Sequence, residues 1–425
     1  MDDPVRSSHS VLTLRAAGFT LLVLAAIANP WVLGLWPGGS LLLTLLMGGL
    51  EGLLGLVALV LLLRPGWVRR HRYQLWLLLG MAVLGMGILE LGLRLNQWFF
   101  ARPLPIRTSE HLGWITRAGI ERTRRIPGFG TIHYSTGPYG FRRFDDPDAE
   151  GFKLMVLGDS YTQAATVSDG QAYYDHLARR RPGMHVFAMG VGGYGTLQEY
   201  MILDRHAERI RPDLILIQLC SNDLINNLPR LEAASLFNNN HQRRPYLIDG
   251  RIQWLHPDHG CPALTRIIGA SRLLSLLDRR LTLWSSERAR RWPEQSIEAD
   301  LGPNHPLYRQ AARVTLDILR KIAQRAGTTP VAAFCVDRPP WLEGDLFATL
   351  CDHAGIQFIP GVPDVLAAAR SDGRRVDGAP HDDHWNAAGH RLAARQIERH
   401  LVEAGRLPGP AACPSQPAAG PVSSS

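Results

Sequence analysis

The sequence predicts an α/β domain, in which helices cover both faces of a parallel sheet, preceded by three membrane-spanning helices. Two observations carry this prediction. Short apolar runs alternate with helical stretches over the C-terminal part of the chain, and three long apolar stretches precede residue 100. The predicted segments are a membrane anchor over 1–99, a membrane-proximal lead-in over 100–150, the α/β domain over 151–406 with an insertion at about 226–304, and a disordered tail over 407–425.

The three apolar stretches run from about Ala16 to Trp36, from Ser40 to Leu63 and from Leu75 to Leu93. Each holds about 19 to 24 residues, which is enough to cross a hydrocarbon core of about 30 Å. The first stretch is too long, and too closely followed by another, for a cleaved signal peptide. We therefore expect a multi-pass anchor in the cell (inner) membrane.

Basic residues predict the orientation of this anchor. The loop between the second and third stretches carries Arg64, Arg69, Arg70 and Arg72, whereas Pro37-Gly38-Gly39, between the first and second, carries no charge. Loops rich in Lys and Arg stay in the cytoplasm. Three crossings then place the chain after about residue 100 on the periplasmic or extracytoplasmic side.

Two carboxylates, Glu51 and Glu90, lie within the predicted spans. A carboxylate inside a membrane is a functional candidate by default. Glu90, however, has Arg94 four residues later on the same helix face. The spans hold no other ionisable residue that would suggest a transport path, so we expect structural roles for both carboxylates.

Alternating elements follow residue 150. The apolar strand candidates are Lys153–Leu157, His185–Met189, Asp213–Leu219, Pro330–Val336 and Ile356–Ile359. The helical candidates are about Tyr173–Arg180, Leu197–Arg209, Pro306–Ala326, Trp341–His353 and Ala387–Ala404. Apolar strands that alternate with helices predict a parallel sheet buried on both faces.

The insertion contains a hairpin-like segment from Tyr246 to Trp254 and then an amphipathic stretch. The apolar side of this stretch is formed by Leu273, Leu274, Leu277, Leu281 and Trp284, and it is flanked by Arg279, Arg280, Arg288, Arg290 and Arg291. One interpretation is a cap or lid packed on the α/β domain, since most amphipathic helices bury their apolar side in protein. The other is a helix on the membrane surface.

Composition excludes several functions. The net charge of +8 comes mostly from scattered arginines, with no basic stripe interleaved with aromatic residues, so no nucleic-acid partner is expected. Five cysteines without a CxxC pair form neither a zinc site nor a disulfide framework. One pair, such as Cys335 with Cys351, is a candidate for oxidation in an exported compartment.

A serine follows the first strand candidate, in Gly158-Asp159-Ser160. The carboxyl ends of strands in open α/β sheets are where ligands and chemistry lie. An acyl-transfer site also needs a base, a group that orients the base, and donors for the oxyanion. We assign Ser160 as nucleophile, His384 as base, and the Ser160 N–H, Gly193 N–H and Asn222 amide as oxyanion donors.

These blocks resemble the SGNH, or GDSL, hydrolase superfamily over roughly residues 150–404. Ser160 in Gly-Asp-Ser, Gly193 in Gly-Val-Gly-Gly-Tyr-Gly-Thr, Asn222 in Asn-Asp and His384 in His-Trp-Asn match its first, second, third and fifth blocks in order. The resemblance implies a three-layer α/β/α sandwich of flavodoxin-like type and esterase activity. Two positions depart from the family pattern: Cys220 replaces a glycine, and His381 stands where the family's Asp precedes its His by three residues.

The acid that orients His384 is therefore assigned from local geometry. Asp382 lies two residues before His384, and in an extended segment residues i and i+2 project to one side. Asp383 would then point away and act as a charge at the N-terminus of the last helix. Asp383 and Asp377 are the alternative acids. A two-residue spacing from Asp to His resembles the alginate O-acetyltransferase group, in which the pair precedes the serine.

Other interpretations of these residues are open. A metal cluster would be formed by His381, Asp382, Asp383, His384 and His390. That cluster would leave the Ser, Gly and Asn blocks unexplained, so we expect no metal and no organic cofactor. We expect His390 to be a structural residue on a helix face.

The sequence thus predicts a membrane-anchored serine esterase outside the cytoplasm. Its substrates would be O-acyl esters, acetyl esters above all, of envelope glycans or lipids. The alternatives are an O-acetyltransferase of surface polysaccharide and a non-catalytic assembly or binding protein that keeps the fold.

Overall fold

Long apolar stretches fold into helices at the start of the chain: α1 (Pro4–Ile27), α2 (Leu41–Leu63) and α3 (Pro65–Phe100). The computed structural model describes residues 4–27, 41–100, 105–257, 267–291, 296–379 and 382–408. The end of the first predicted stretch, up to Trp36, and the Pro37–Gly39 turn lie outside the described residues. The third helix begins ten residues before the predicted span, because Pro65 fits the first turn of a helix and the basic segment continues it.

Within the described part of the chain, the segment Pro65–Asn96 is long and apolar enough to cross a membrane, and the residues of its most apolar part are not buried in protein. Val11–Ala26 and Gly48–Leu63 are shorter apolar helical segments. Length and composition thus support one crossing, and the other two predicted crossings stay predictions.

The described residues group into two compact units. The first comprises the N-terminal helices up to Leu104 together with two parts of the insertion, Glu232–His241 and His256–Asp300. The second comprises Pro105–Leu231, Gln242–Leu255 and Leu301–Ser425. The lead-in and the hairpin of the insertion therefore group with the α/β part of the chain.

In the first unit, the amphipathic stretch of the insertion forms a helix, Arg272–Arg291, which packs against α2 and α3. The carboxylate of Glu90, in α3, accepts hydrogen bonds from the Ser271 hydroxyl (3.0 Å) and from the Arg272 and Leu273 N–H groups (2.9 Å each). Arg94 also donates to it, at 2.8 Å. Glu90 therefore caps the insertion helix, and this helix groups with the N-terminal helices and not with the α/β unit.

The second unit is built on a six-stranded sheet in the order β12-β11-β8-β6-β7-β5. Its strands are β5 (Arg143–Phe144), β6 (Phe152–Gly158), β7 (Met184–Gly190), β8 (Leu214–Leu219), β11 (Val331–Cys335) and β12 (Gln357–Phe358). All neighbours pair in parallel except β5, which runs antiparallel to β7 at the edge. Side chains of the central strands are buried on both faces, which explains their continuous apolar runs.

The helices of the second unit lie between or after these strands: α4 (Ser160–Gln163), α5 (Tyr173–Arg179), α6 (Thr196–Ile210), α7 (Ser221–Asn226), α11 (Pro306–Ala326), α12 (Leu346–His353), α13 (Val362–Ser371) and α14 (Ala387–Glu403). Of the remaining helices, α8 (Pro229–Ala234) is partly in the first unit, and α9 (the insertion helix) and α10 (Ile297–Asp300) are in the first unit. The predicted α/β fold with a mostly parallel sheet is confirmed. The helix over Trp341–His353 begins later than predicted, at Leu346, and α13 was not predicted.

Four antiparallel strand pairs complete the second unit. They are β1 (Ile106–Ser109) with β2 (Gly113–Thr116), β3 (Glu121–Ile126) with β4 (Gly130–Ser135), β9 (Arg244–Ile248) with β10 (Arg251–Leu255), and β13 (Asp377–Gly378) with β14 (Asp382–Trp385). The first two pairs are the short strands expected in the lead-in, and the third is the hairpin of the insertion.

Candidate active site

Ser160 stands where strand β6 turns sharply into helix α4. Asp159 caps this helix, since its carboxylate accepts a hydrogen bond from the Tyr161 N–H at 3.0 Å. A side chain at Gly158 would collide with the Thr162 hydroxyl and the Gln218 side chain, so only glycine allows so tight a turn. The turn places the Ser160 hydroxyl at the carboxyl edge of the sheet.

A chain of hydrogen bonds links Ser160, His384 and Asp382. The Nε2 atom of His384 lies 2.7 Å from Ser160 Oγ, and its Nδ1 atom lies 2.5 Å from Asp382 Oδ1. The same Asp382 oxygen accepts the His384 backbone N–H at 2.9 Å, which fixes the short strand β14 locally. The ring of Tyr161 stacks on the imidazole at 4.7 Å between centroids. This arrangement suits a serine nucleophile, a base and an acid that orients it.

Two opposing effects act on the pKa of His384. Burial lowers it, because burial disfavours the charged imidazolium. The hydrogen bond and the negative charge of Asp382 raise it, with a smaller contribution from Asp159 and Asp383, and the net result is a raised pKa. A raised pKa makes the imidazole a stronger base for the serine proton, and it requires a higher pH to keep the imidazole neutral.

The two alternative acids have other surroundings. The Asp383 side chain is 92% exposed, and its nearest carboxylate oxygen is 3.9 Å from His384 Nδ1. The Asp377 carboxylate accepts a 2.6 Å hydrogen bond from Arg370. The predicted role of Asp383 as a helix charge is wrong, because β14 contains Asp383, whereas α14 begins at Ala387 with Asn386 as its cap.

The segments predicted to supply oxyanion donors follow strands β7 and β8, which flank β6. Asn222 lies in the first turn of α7, and its Nδ2 donates to Asn226 Oδ1 at 3.3 Å. Gly193 has a φ of +79°, which favours glycine. A Cβ atom placed on Gly192 would lie 3.7 Å from Ser160 Cβ, so this loop runs directly beside the nucleophile.

Asp337 is a residue at this edge that the sequence analysis missed. Its carboxylate accepts hydrogen bonds from the Ser221 backbone N–H (2.9 Å) and hydroxyl (2.5 Å), and burial raises its pKa. It thereby holds the start of α7, immediately before Asn222. The sequence does contain an indication of its position. Asp337 directly follows the strand candidate Pro330–Val336, and polar residues that follow parallel strands lie at the same edge of the sheet as Ser160.

Part of the metal cluster considered from the sequence is close together in the structure. Among the residues that the structure describes, Asp382, Asp383 and His384 offer ligand atoms within 4.8 Å of one another. Both ring nitrogens of His384 are already hydrogen-bonded, so a metal ion would have to displace Ser160 or Asp382. His390 is buried between the rings of Tyr173 and Trp385, whose centroids lie 6.1 and 5.4 Å from that of its imidazole. Burial lowers the pKa of His390 to about 3. His381 lies outside the described residues.

The cysteines that the structure describes have no assigned role in this chemistry. Cys220, Cys335 and Cys351 are free and buried, so the candidate pair Cys335–Cys351 is not a disulfide in this structure. Burial raises the pKa of all three thiols, which makes them poor nucleophiles. Cys261 and Cys413 lie outside the described residues.

Comparison with known proteins gives one family match. Residues 156–392 match the model of the GDSL-like lipase/acylhydrolase family, which spans more than half of the 425 residues. No curated protein sequence matches the chain.

Several solved structures resemble the fold. A lipolytic protein of the G-D-S-L family from Veillonella parvula is 12% identical, covers 59% of this chain and 99% of its own, and has a TM-score of 0.34. A lipase/acylhydrolase from Enterococcus faecalis is 13% identical, with 62% and 100% covered and a TM-score of 0.34. A catalytic mutant of an acetylxylan esterase from Geobacillus stearothermophilus is 11% identical, with 60% and 96% covered and a TM-score of 0.34.

Proposed function

Because the chain belongs to the GDSL-like lipase/acylhydrolase family and is an ester hydrolase, we propose that Ser160, His384 and Asp382 are its catalytic residues. The observation that carries this proposal is the hydrogen-bonded chain from Ser160 through His384 to Asp382, at 2.7 and 2.5 Å. The His384 side chain is 30% exposed, so a substrate can reach the base from solvent. An intact chain of this kind disfavours a non-catalytic binding protein.

The proposed reaction has two steps. Ser160 Oγ attacks the ester carbonyl while His384 Nε2 takes its proton, and the negative charge of Asp382 stabilises the imidazolium. The Ser160 N–H, the Gly193 N–H and the Asn222 amide hold the oxyanion. The imidazolium then protonates the leaving alcohol, which departs and leaves an acyl-enzyme. A water molecule, activated by the same imidazole, releases the acid and restores Ser160.

The proposed substrates are O-acyl esters, acetyl esters above all, of envelope glycans or lipids. This proposal rests on the membrane-compatible helix Pro65–Asn96, which would keep the site near the surface where such esters occur. Transfer of the acyl group to a sugar is the second candidate, favoured by the two-residue spacing from Asp382 to His384. The two reactions differ only in whether water or a sugar hydroxyl accepts the acyl group.

Activity on p-nitrophenyl acetate tests the proposed function. We expect the full-length protein in detergent to release p-nitrophenol and acetate in equal amounts. Addition of oligosaccharide acceptors should leave the acetate yield unchanged if the enzyme is a hydrolase. Acetylated oligosaccharide, detected by mass spectrometry with a matching loss of free acetate, would instead identify a transferase. Absence of p-nitrophenol release and of labelling by a fluorophosphonate would contradict both.

The orientation of the anchor is a separate prediction. The basic loop at Arg64, Arg69, Arg70 and Arg72 precedes the apolar part of α3 and favours a cytoplasmic start for this helix. A reporter enzyme that works only outside the cytoplasm should therefore be active when fused near residue 405 and inactive when fused near residue 70. Replacement of the four arginines by glutamate should weaken this difference. The reverse pattern in the wild type would place the site in the cytosol.

A further inference from the structure

The glycine loop between β7 and α6, residues 190–195, needs external support if it is to hold an oxyanion. Gly192, Gly193 and Gly195 make its backbone permissive, and Gly193 has a positive φ. A flipped peptide plane would turn the Gly193 N–H away from Ser160 and present a carbonyl oxygen there instead. Catalysis by preorganised donors depends on preventing this.

Three side chains fix successive peptide groups of the loop. The Gln163 side-chain oxygen accepts the Gly192 N–H at 3.0 Å. The indole Nε1–H of Trp114 donates to the Gly192 carbonyl at 3.0 Å. The Arg244 guanidinium donates to the Gly193 carbonyl at 2.7 Å. The two peptide groups that flank Gly193 are therefore both held by a hydrogen bond to their carbonyl oxygen, one from Trp114 and one from Arg244.

The bond from Trp114 is the one that orients the donor. The Gly192 carbonyl and the Gly193 N–H belong to the same planar trans peptide and point in opposite directions. When the indole holds this carbonyl, the Gly193 N–H must point away from Trp114. Gly192 itself lies close to Ser160, since a Cβ atom added to Gly192 would be 3.7 Å from Ser160 Cβ.

Trp114 and Arg244 also hold each other. The guanidinium carbon of Arg244 lies 5.2 Å from the centroid of the Trp114 ring, in a cation–π contact. Both side chains are buried, with 2% of Trp114 and 1% of Arg244 exposed. The Tyr194 hydroxyl donates to the Trp114 carbonyl at 2.5 Å and connects the loop back to strand β2. The assembly is thus rigid and shielded from water.

We propose that Trp114 and Arg244 are positioning residues that aim the Gly193 N–H at the oxyanion, an inference that rests on the proposed function. Trp114 comes from the lead-in, which precedes the residues matched by the family model, and Arg244 comes from the hairpin of the insertion. Neither residue contacts the substrate in this role. The lead-in is therefore part of the catalytic apparatus and more than a tether.

Trp114→Phe tests this role, because it keeps an aromatic ring beneath Arg244 and removes the N–H donor. With full-length protein in detergent and p-nitrophenyl acetate, we expect kcat per active site to fall about 10- to 100-fold, somewhat less than the loss of a whole oxyanion donor. Active sites are counted by end-point titration with a fluorophosphonate. KM and the acid limb of the pH profile should stay unchanged, since His384 and Asp382 are untouched. Affinity for a boronic acid inhibitor, which becomes tetrahedral when Ser160 adds to its boron, should fall with kcat/KM.

Trp254→Phe is the matched control. Trp254 lies in β10, the strand that pairs with β9. It also has an arginine over its ring, since the guanidinium carbon of Arg243 lies 5.2 Å from the ring centroid. We expect it to retain wild-type kcat. If Trp114→Phe does not fold, benzothienylalanine at position 114 preserves the shape of the indole and lacks its N–H, and should give the same loss.

The outcomes separate this inference from the proposed function. Unchanged kcat per titrated site in Trp114→Phe or in the benzothienylalanine protein, with activity still dependent on Ser160, would overturn the positioning role alone. An equal loss in Trp254→Phe would also overturn it. Activity that survives in Ser160→Ala would overturn both proposals.

Discussion

Ser160→Ala is expected to reduce the hydrolysis of p-nitrophenyl acetate to the uncatalysed background. Loss of the nucleophile in a serine hydrolase of this kind lowers kcat by a factor on the order of 10⁶. The variant should fold normally, because the Ser160 hydroxyl is hydrogen-bonded to His384, and His384 is still held by Asp382 when this hydroxyl is removed. A fluorophosphonate probe should label the wild type and not the variant, as seen by gel fluorescence and by intact mass.

Ser168→Ala is the control for this experiment. Ser168, eight residues after Ser160 in the α/β unit, also carries a hydroxyl, and this hydroxyl accepts the His133 N–H at 3.1 Å. Its alanine variant should keep both labelling and activity. If the Ser160→Ala protein is still labelled at a single site, another nucleophile does the chemistry and the assignment of Ser160 fails.

Asp382→Asn should be nearly as severe, with a loss of roughly 10⁴ in kcat by the serine-protease precedent. Asparagine can keep a hydrogen bond but not the negative charge that stabilises the imidazolium. Since Asp382 raises the pKa of His384 against the effect of burial, its loss should lower that pKa. Activity requires the neutral imidazole, so the acid limb of kcat/KM should move to lower pH. The measurement is a pH profile of kcat/KM for the residual activity.

Asp383→Asn provides the comparison, because Asp383 is the neighbouring acid but is largely exposed. Water screens its charge, so we expect a change of a fewfold at most and a pH profile close to that of the wild type. The opposite order of severity would reassign the orienting acid to Asp383. High activity in both variants would mean that Ser160 and His384 work as a dyad or with a different acid.

Much of this arrangement follows from local sequence. Strands buried on both faces give continuous apolar runs, and for this reason β6, β7, β8 and β11 were predicted to within two residues. Polar residues directly after such runs fall at one edge of the sheet. This rule predicted that Ser160 and Asn222 lie near each other, and the strand order is in agreement with it.

The missed features depend on contacts between distant parts of the chain. Trp114 and the Gly192 carbonyl are 78 residues apart, and no periodicity in either segment indicates their bond. The error at Asp383 has a different cause. The residues before α14 were expected to lead directly into the helix, but Asp382–Trp385 pairs as a strand with Asp377–Gly378, and Asn386 starts the helix afterwards.

The cap that Glu90 places on the insertion helix has a consequence for biosynthesis. Its partner Ser271 is 181 residues later in the chain. At typical translation rates of 5 to 20 residues per second, Glu90 emerges about 10 to 40 s before that partner exists. During this interval Arg94, one turn away in α3, is the neighbour that can neutralise the carboxylate. The N-terminal part of the protein therefore completes its folding only after the insertion has been synthesised.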